Sequence, residues 1–293
     1  MRTRLSPRAA VSSLLITAIV TAIGCSGWQP ARFQTTRQAT IRAMAESAVD
    51  VQTANGSVQL TQTEQPDVVV DAVLKMVSQE RADLVEISAE YQPDGTLAVR
   101  VLWPDGVRQP KESCSFVITL PDAVGVRVRT SNGSIELTGL SGTADLHTSN
   151  GAVKVYDFAG DVLARTSNGR VVVERAAGTI DVRTSNGRVT VVEAHKAVIV
   201  RTSNGRVRVG LADDGAGPVT IDTSNGSVEF DAGPGFVGRL TASTSNGSVH
   251  VDGSGLGDLT TRRRSASFAV GDSDAESRIK TSNGSITIRV SGG

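Results

Sequence analysis

The stretch at residues 162–173 reads VLARTSNGRVVV, and the stretch at 180–191 reads IDVRTSNGRVTV. Both contain the phrase T-S-N-G, with apolar residues at the same places on either side of it. The phrase occurs eight times, and a ninth copy reads T-A-N-G around Asn55. The asparagines of the eight copies are Asn132, Asn150, Asn168, Asn186, Asn204, Asn225, Asn246 and Asn283. They are 18, 18, 18, 18, 21, 21 and 37 residues apart, and a period near twenty predicts units that stack on one another.

Apolar residues recur four and six positions before the asparagines, and three and five positions after them, with Ser277 before Asn283 as the exception. Around Asn186 these are Val182 and Ile180 before it, and Val189 and Val191 after it. The residues between them are mostly polar or charged, so each repeat reads as two short strands with one apolar face each. An antiparallel meander of hairpins would also place Asn-Gly between strands. The two corners of each unit differ consistently, however, and this favours parallel stacking.

We therefore predict an all-β fold. It is a parallel β-solenoid (β-helix) of about eight coils of 18–21 residues, with two short strands per coil and an N-terminal strand-rich cap. Asn and Gly tolerate left-handed backbone conformations, so the sequence predicts a sharp corner at each copy. The stacked asparagines are expected to form a structural ladder of amides. An asparagine-lined ligand site is the alternative.

The first 25 residues predict an export signal, because Arg2, Arg4 and Arg8 precede an apolar stretch that ends at Cys25. The small residues before Cys25 resemble the lipobox of bacterial lipoproteins, which implies that this cysteine is acylated after cleavage. An ordinary secretory signal is the alternative. The predicted boundaries are 1–25 for the signal, 26–45 for a tether, 46–122 for the cap and first coil, and 123–293 for the repeats with an irregular insertion at 252–277.

Catalytic and metal-binding motifs are missing from the sequence. The three histidines fall in different repeats, the repeats lack regularly spaced aspartates, and Cys114 reads as a buried structural thiol. Aromatic residues make up only 3% of the chain, whereas polysaccharide lyases and hydrolases need clustered carboxylates and aromatic platforms. We expect no enzyme activity, no cofactor and no metal, and carbohydrate cleavage is the least favoured alternative.

Charge is unevenly distributed, although the net charge is zero. Residues 41–122 contain 13 acidic and 6 basic residues, whereas 123–208 contain 12 basic and 7 acidic ones. Many of the basic residues flank the T-S-N-G corner and point outward under the alternation. They are Arg129, Arg165, Arg170, Arg183, Arg188, Arg201, Arg206 and Arg208. Guanidinium groups in columns suit carboxylates or phosphates on a linear polymer. A solvated face, partly neutralised by nearby acids, is the alternative.

The repeated T-S-N-G coils, the strand-rich segment before them, the export signal and the final T-S-N-G-S-I-T-I at 281–288 resemble the bacterial putative-adhesin family, a domain without an assigned function. The resemblance covers roughly residues 49–290. It implies a β-solenoid exposed at the cell envelope, and it brings no catalytic residues.

We expect a non-enzymatic, lipid-anchored binding module of the cell envelope, in the outer membrane if the cell is Gram-negative. Its partner would be an envelope polysaccharide or an envelope protein, reached through the arginine columns. Nucleic acid is not expected, because base-stacking aromatics are scarce. The alternative is a structural scaffold of an envelope complex. This alternative rests on the chain ending at Gly293 just after a strand, which would leave an open edge for self-association.

Overall fold

The computed structural model describes residues 17–20 and 33–291. Strands dominate this part of the chain, and beside them the structure contains one short α-helix and one 3₁₀ helix. The predicted all-β class is therefore confirmed. Cys25 and most of the predicted signal peptide lie outside the described residues, so acylation remains a prediction.

Eight strands, one α-helix and one 3₁₀ helix precede the main run of repeats in the described residues. They are β1 (Thr17–Val20), β2 (Phe33–Arg42), β3 (Ala48–Gln52), β4 (Val58–Gln62), β5 (Asp67–Met76), α1 (Gln79–Leu84), β6 (Glu86–Tyr91), β7 (Leu97–Leu102), a 3₁₀ helix (Pro104–Gly106) and β8 (Ser113–Leu120). Helix α1 begins after Ser78, whose hydroxyl accepts a hydrogen bond from the backbone N–H of Arg81 at 3.3 Å. This contact satisfies one of the free donors at the helix start.

The strands of the repeats continue the series. They are β9 (Gly125–Arg129), β10 (Ile135–Thr138), β11 (Ser141–Thr148), β12 (Val153–Thr166), β13 (Val171–Ala176), β14 (Ile180–Asn186), β15 (Val189–Ala194), β16 (Val198–Asn204), β17 (Val207–Leu211), β18 (Val219–Asn225), β19 (Val228–Ala232), β20 (Gly238–Asn246), β21 (Val249–Gly253), β22 (Gly257–Arg262), β23 (Ser265–Val270), β24 (Glu276–Asn283) and β25 (Ile286–Val290).

Equivalent strands of successive repeats pair in parallel. In what we call the leading ladder, formed by strands that enter the T-S-N-G corner, Val182 pairs with Val200, 18 residues further on. In the trailing ladder, formed by strands that leave the corner, Val171 pairs with Val189 across the same interval. Because the offset equals one repeat in both ladders, each residue lies beside its own equivalent in the next repeat.

The last repeat does not lie at the end of the ladders. Strand β24 pairs with β18 on one side and with β20 on the other, and β25 lies between β19 and β21. The expectation that the final strand would leave an open edge is therefore wrong. The chain runs to the far end first, through β20 and β21, and then returns to fill the space between the two preceding repeats.

A hairpin covers part of the far end. It consists of β22 and β23, lies within the predicted irregular insertion, and pairs antiparallel with β20 through β23. Its tip also approaches β21, where the backbone N–H of Val249 donates to the carbonyl oxygen of Arg263 at 3.0 Å. In the described residues β21 pairs with a strand on one side only, so it forms the edge of the trailing ladder.

The opposite end of the ladders is extended by the N-terminal strands. Strands β8, β5 and β2 continue the trailing ladder beyond β4, and β7 and β6 continue the leading ladder beyond β3. The predicted tether is wrong for Phe33–Arg42, because β2 pairs with β5 along its whole length and buries Ala39 and Ile41. The short strand β1, which falls in the predicted signal peptide, pairs with β2.

The core is a thin layer between the two ladders. The apolar positions four and six residues before each asparagine and three and five after it are almost all buried, and Val182, Val189 and Val191 have no exposed surface. Phe158, Phe230 and Phe236 are also buried, and the rings of Phe230 and Phe236 pack edge to face with their centroids 5.7 Å apart. Full burial of a side chain of this size stabilises a fold by about 1.5–3 kcal/mol, so the stacked columns supply most of the stability.

The glycine of the phrase is required for a different reason from the one predicted. None of the T-S-N-G asparagines in the described part of the chain has a positive φ, and among their glycines only Gly205 has one. Instead, a Cβ atom added at any of these eight glycines would lie 1.7–2.2 Å from the carbonyl oxygen of the glycine in the adjacent repeat. Glycine is therefore needed because neighbouring corners approach too closely for a side chain.

No helix in the described ranges is long and apolar enough to cross a membrane.

Candidate functional site

The asparagines of the eight copies form one continuous row of hydrogen bonds. Seven of the eight amides donate from Nδ2 to the Oδ1 of the neighbouring asparagine in the row at 2.7–3.0 Å. Asn283 donates to Asn225, and Asn246 donates to Asn283, so the row follows the spatial order of the repeats. Each such bond contributes about 0.5–1.5 kcal/mol, and the row fixes the lateral position of the residues on either side of it.

A row of mostly basic side chains runs beside the asparagines on the leading ladder. Nine of these residues stand three positions before an asparagine of the repeated phrase, and Arg100 joins them through the pairing of β7 with β3. Strand pairing places all of them side by side about 4.8 Å apart. We call them the leading row. In spatial order they are Arg100, Gln52, Arg129, His147, Arg165, Arg183, Arg201, Asp222, Lys280 and Ser243.

Some arginines of the leading row are neutralised. Arg183 forms an ion pair with Asp181 at 2.8 Å, and the hydrogen bond and charge of this carboxylate raise the pKa of Arg183. A guanidinium nitrogen of Arg129 lies 3.8 Å from a carboxylate oxygen of Asp145, which is within ion-pair distance but too far for a hydrogen bond. Arg100 pairs with Asp50 at 2.8 Å.

Other arginines of the row are unneutralised. Within the described residues, Arg165 and Arg201 have no carboxylate oxygen within 4.0 Å. The leading row therefore carries an excess of positive charge.

A second basic row lies on the other side of the asparagines. Arg170, Arg188 and Arg206 stand two positions after their asparagines in three successive repeats, and all three are exposed. None of them has a carboxylate within ion-pair distance in the described part of the chain. We call these three residues the trailing row.

Arg208 lies apart from both rows. Strand β17 places it between Thr190 and Glu229, and its guanidinium contacts Asp231 at 3.3 Å. The structure therefore brings seven of the eight predicted arginines to the corner and leaves Arg208 in an ion pair on the trailing ladder.

A shallow trough runs along the leading row. Its walls are the row itself and the serines one position before the asparagines, and its floor is the threonine column between them. Two clefts lie in this trough. One of about 490 Å³ includes Arg129, His147 and Trp103, and one of about 400 Å³ includes Arg183, Arg201 and Lys280.

The threonines on the floor of the trough are not all alike. Five of them donate a hydrogen bond from Oγ1 to a glycine carbonyl oxygen of the adjacent repeat at 2.9–3.1 Å. Three consecutive ones, Thr184, Thr202 and Thr223, are buried and have no partner among the described residues. All three line the smaller cleft.

Sequence reasoning missed three residues of this site. Arg100 and Trp103 belong to no T-S-N-G copy, so only the pairing of β7 with β3 places them at one end of the trough. Lys280 does stand three residues before Asn283, and this position could have identified it. Its place beside Asp222 follows from the insertion of β24 next to β18.

The residues that often carry catalysis lie elsewhere. His195 contacts Asp214 at 2.6 Å on the exposed second corner. Cys114 is fully buried, and burial raises the pKa of its thiol to about 12. The described residues contain no group of three or more histidine, cysteine, aspartate or glutamate side chains arranged to hold a metal ion.

Comparison of the sequence with known proteins finds no matching family and no matching curated protein. Comparison of the structure finds distant similarities to bacterial proteins.

A putative adhesin from Bacteroides fragilis is 14% identical over 90% of this chain and 100% of its own, with a TM-score of 0.48. A putative cell adhesion protein from Clostridium sporogenes is 11% identical over 88% and 99%, with a TM-score of 0.28. A putative adhesin from Parabacteroides distasonis is 10% identical over 86% and 96%, with a TM-score of 0.35.

Proposed function

We propose that the protein is an exported, non-enzymatic binding module of the bacterial cell envelope, which holds linear anionic polymers along the trough and the trailing row beside it. The observation that carries this proposal is the excess of positive charge in the leading and trailing rows. Arg165, Arg188, Arg201 and Arg206 present guanidinium groups that no carboxylate within 4.0 Å neutralises among the described residues.

Electrostatics favours a polymer over a small anion. Two unit charges about 4.8 Å apart in water repel by about 0.9 kcal/mol before salt screening. Stacking therefore places positive charges in a line, where neighbouring charges repel one another. A ligand whose anionic groups repeat along a chain would offset this repulsion in several repeats at once. Guanidinium groups hold carboxylates and phosphates through two parallel hydrogen bonds, which adds geometric selectivity.

The proposed fold is a parallel β-solenoid of about eight coils of 18–21 residues with two short strands each. It is supported by the equal register offsets of the two ladders. Acylation of Cys25 would anchor the end that carries β2, because few residues separate Cys25 from Phe33. In that arrangement the trough extends from the anchored end towards β20 and β21.

A binding assay with matched charge variants tests this function. One variant changes Arg165, Arg188, Arg201 and Arg206 to serine. Each exposed charge contact contributes about 0.2–1 kcal/mol, so the loss of four contacts should lower the affinity for a polyanion such as polygalacturonate by about fourfold or more at low salt. The salt dependence of binding should also become weaker.

The matched control changes four arginines away from the trough to serine. They are Arg175, Arg239, Arg263 and Arg289. This variant removes the same net charge, so it separates a local site from a general effect of charge. Equal losses of affinity in the two variants, or no loss in either, would contradict the proposed trough. Absence of new reducing or unsaturated ends after incubation with the polymer is the expected result for a non-enzymatic module.

A structural role in an envelope assembly is the second candidate, and strand β21 favours it. Val249 and Val251 in this strand are only partly buried, unlike their fully buried neighbours Ile286 and Ile288. The hairpin already accepts the backbone N–H of Val249, and the part of the edge after Val249 can pair with a strand of another chain. Sedimentation of the protein and of Val251→Lys tests this role, since association that depends on the edge should be lost in the variant. A wild-type protein that stays monomeric at high concentration would contradict self-association.

A further inference from the structure

Trp103 occupies one end of the trough. It follows directly after β7, and its indole lines the same cleft as Arg129, His147 and Ser131. Part of the ring packs against the core, and the rest is accessible. It is the one tryptophan in the described residues, since Trp28 lies outside them. A large aromatic side chain therefore lines a cleft of the trough, in a chain with few aromatic residues.

The hydrogen-bonding groups around the indole are partly free. In the described part of the chain, the indole Nε1–H of Trp103 donates to no protein acceptor. The backbone carbonyl oxygen of Trp103 accepts a hydrogen bond from the N–H of Gly106 at 2.9 Å. Arg100 is already engaged, because its guanidinium donates to the Asp50 carboxylate at 2.8 Å and to the Asp50 carbonyl oxygen at 2.6 Å. Arg129 makes no side-chain hydrogen bond to the described residues, and the Asp145 carboxylate lies 3.8 Å from its guanidinium. A ligand carboxylate at hydrogen-bond distance would therefore compete with Asp145 for Arg129.

This combination fits one chemical class better than the others. An indole ring offers an apolar face and one N–H donor, which match the C–H face and the hydroxyl groups of a pyranose ring. A guanidinium beside it matches a carboxylate on the same sugar. Polyphosphate would use the arginines but not the indole. Single-stranded nucleic acid would use stacking at successive bases, whereas the described trough provides this one aromatic platform.

We propose that the Trp103 end of the trough is a subsite for an acidic sugar residue. The indole lies against the sugar ring, and Arg129 holds its carboxylate. This inference rests on the proposed function, because it names the polymer as an acidic polysaccharide. It also gives the bound polysaccharide one orientation, because one sugar residue would be held in a defined position at this end and the remaining residues by repeating charges along the trough.

The test compares three probes on the full protein carrying Trp28→Phe, so that Trp103 is the only tryptophan. The probes are polygalacturonate oligomers, polyphosphate and single-stranded DNA. Polygalacturonate should change the emission of Trp103, and Trp103→Leu should weaken its binding by about threefold to tenfold. The polygalacturonate affinity of Trp103→Phe should lie between that of the protein with Trp103 and that of Trp103→Leu, because phenylalanine keeps a smaller aromatic ring. Polyphosphate affinity should stay the same in both variants.

Each other outcome overturns the inference. If Trp103→Leu leaves polygalacturonate binding unchanged while the arginine variant loses it, the acidic-sugar subsite is wrong and the trough stands. If Trp103→Leu weakens polyphosphate equally, the indole acts by supporting the trough, and a lower urea midpoint would show this. If DNA affinity falls more than polygalacturonate affinity, the stacked ligand is a base. If no polyanion binds the unaltered protein, the proposed function itself fails.

Discussion

The close approach of neighbouring corners makes a strong prediction for Gly169→Ala. The new Cβ would lie 1.7 Å from the carbonyl oxygen of Gly151 and 2.8 Å from Oγ1 of Thr166. Oγ1 of Thr166 donates to that same carbonyl at 3.1 Å. Real Cβ atoms keep more than 3.0 Å from such an oxygen, so the corners must separate by more than 1 Å, a shift of roughly a quarter of the ~4.8 Å spacing between strands.

Several contributions add to the expected loss of stability. Overpacking of this kind costs about 1–3 kcal/mol. The shift also strains the threonine bond and the two asparagine bonds on either side of Asn168, at about 0.5–1.5 kcal/mol for each bond lost. We therefore expect Gly169→Ala to lower the free energy of unfolding by about 3 kcal/mol or more.

A matched glycine provides the control. Gly210 lies in β17, does not have a positive φ, and a Cβ added there meets no atom within 4 Å. Gly210→Ala should therefore leave stability unchanged or raise it by about 0.4–1 kcal/mol, because alanine restricts the unfolded chain. Equilibrium unfolding in urea, followed by far-UV circular dichroism, measures both variants. If Gly169→Ala matches the wild type within about 0.5 kcal/mol, the steric explanation of the T-S-N-G glycine is refuted.

Three further predictions concern the ladder, the cap and the last repeat. Asn168→Ala removes two amide hydrogen bonds and should cost about 1–3 kcal/mol in urea unfolding; no measurable loss would contradict a stabilising ladder. Arg81→Met leaves the buried carboxylate of Glu112 without its ion pair at 2.8 Å and should lower the midpoint of urea unfolding. Burial alone would raise the pKa of Glu112, but hydrogen bonds from Arg81 and from the backbone N–H of Gln109 outweigh it and lower the pKa. The stabilisation should therefore be complete above the unfolded pKa of about 4.3 and disappear as the pH falls through the lower folded value; a pH-independent difference between wild type and Arg81→Met across this range would contradict it. Ile288→Ala should cost about 2–5 kcal/mol although it lies near the C-terminus, whereas Val251→Ala in the partly exposed edge strand should cost much less; equal small losses would contradict the inserted last repeat.

Much of the fold follows from the sequence because the repeats are regular. Alternation around each asparagine identifies the two strands of a repeat. Strand β2 was missed because its exposed face is polar, with Gln34, Thr36 and Gln38, and this made the whole segment read as a tether.

The order of the last repeats could not be predicted. The columns around Asn225, Asn246 and Asn283 keep the same alternation and are apolar at nearly every position, so sequence periodicity allows the repeat of Asn283 to pair with either neighbour. The structure places it between them, because the β22–β23 hairpin pairs with β20 and occupies the outer side of that strand. The physical cause of the order is thus a non-repeating segment, which a periodic pattern cannot reveal.

The arginines of the candidate site could be predicted from the sequence, whereas Arg100 and Trp103 at one end of the trough could not. Outward position and stacking follow from the alternation, which places Arg165, Arg183 and Arg201 side by side. The carboxylates that neutralise Arg183 and Arg208 depend on side-chain geometry that spacing does not fix.

The most direct test of the trough is to locate a bound polyanion by arginine footprinting. The protein is treated with an arginine-selective dicarbonyl reagent, with and without polygalacturonate, and modification at each residue is measured by mass spectrometry. The proposed function predicts that Arg165, Arg188 and Arg201 become protected by the polymer, while Arg263 on the β22–β23 hairpin reacts at the same rate in both samples. Protection that is absent from the first three residues, or equal at Arg263, would contradict a binding site along the T-S-N-G corner.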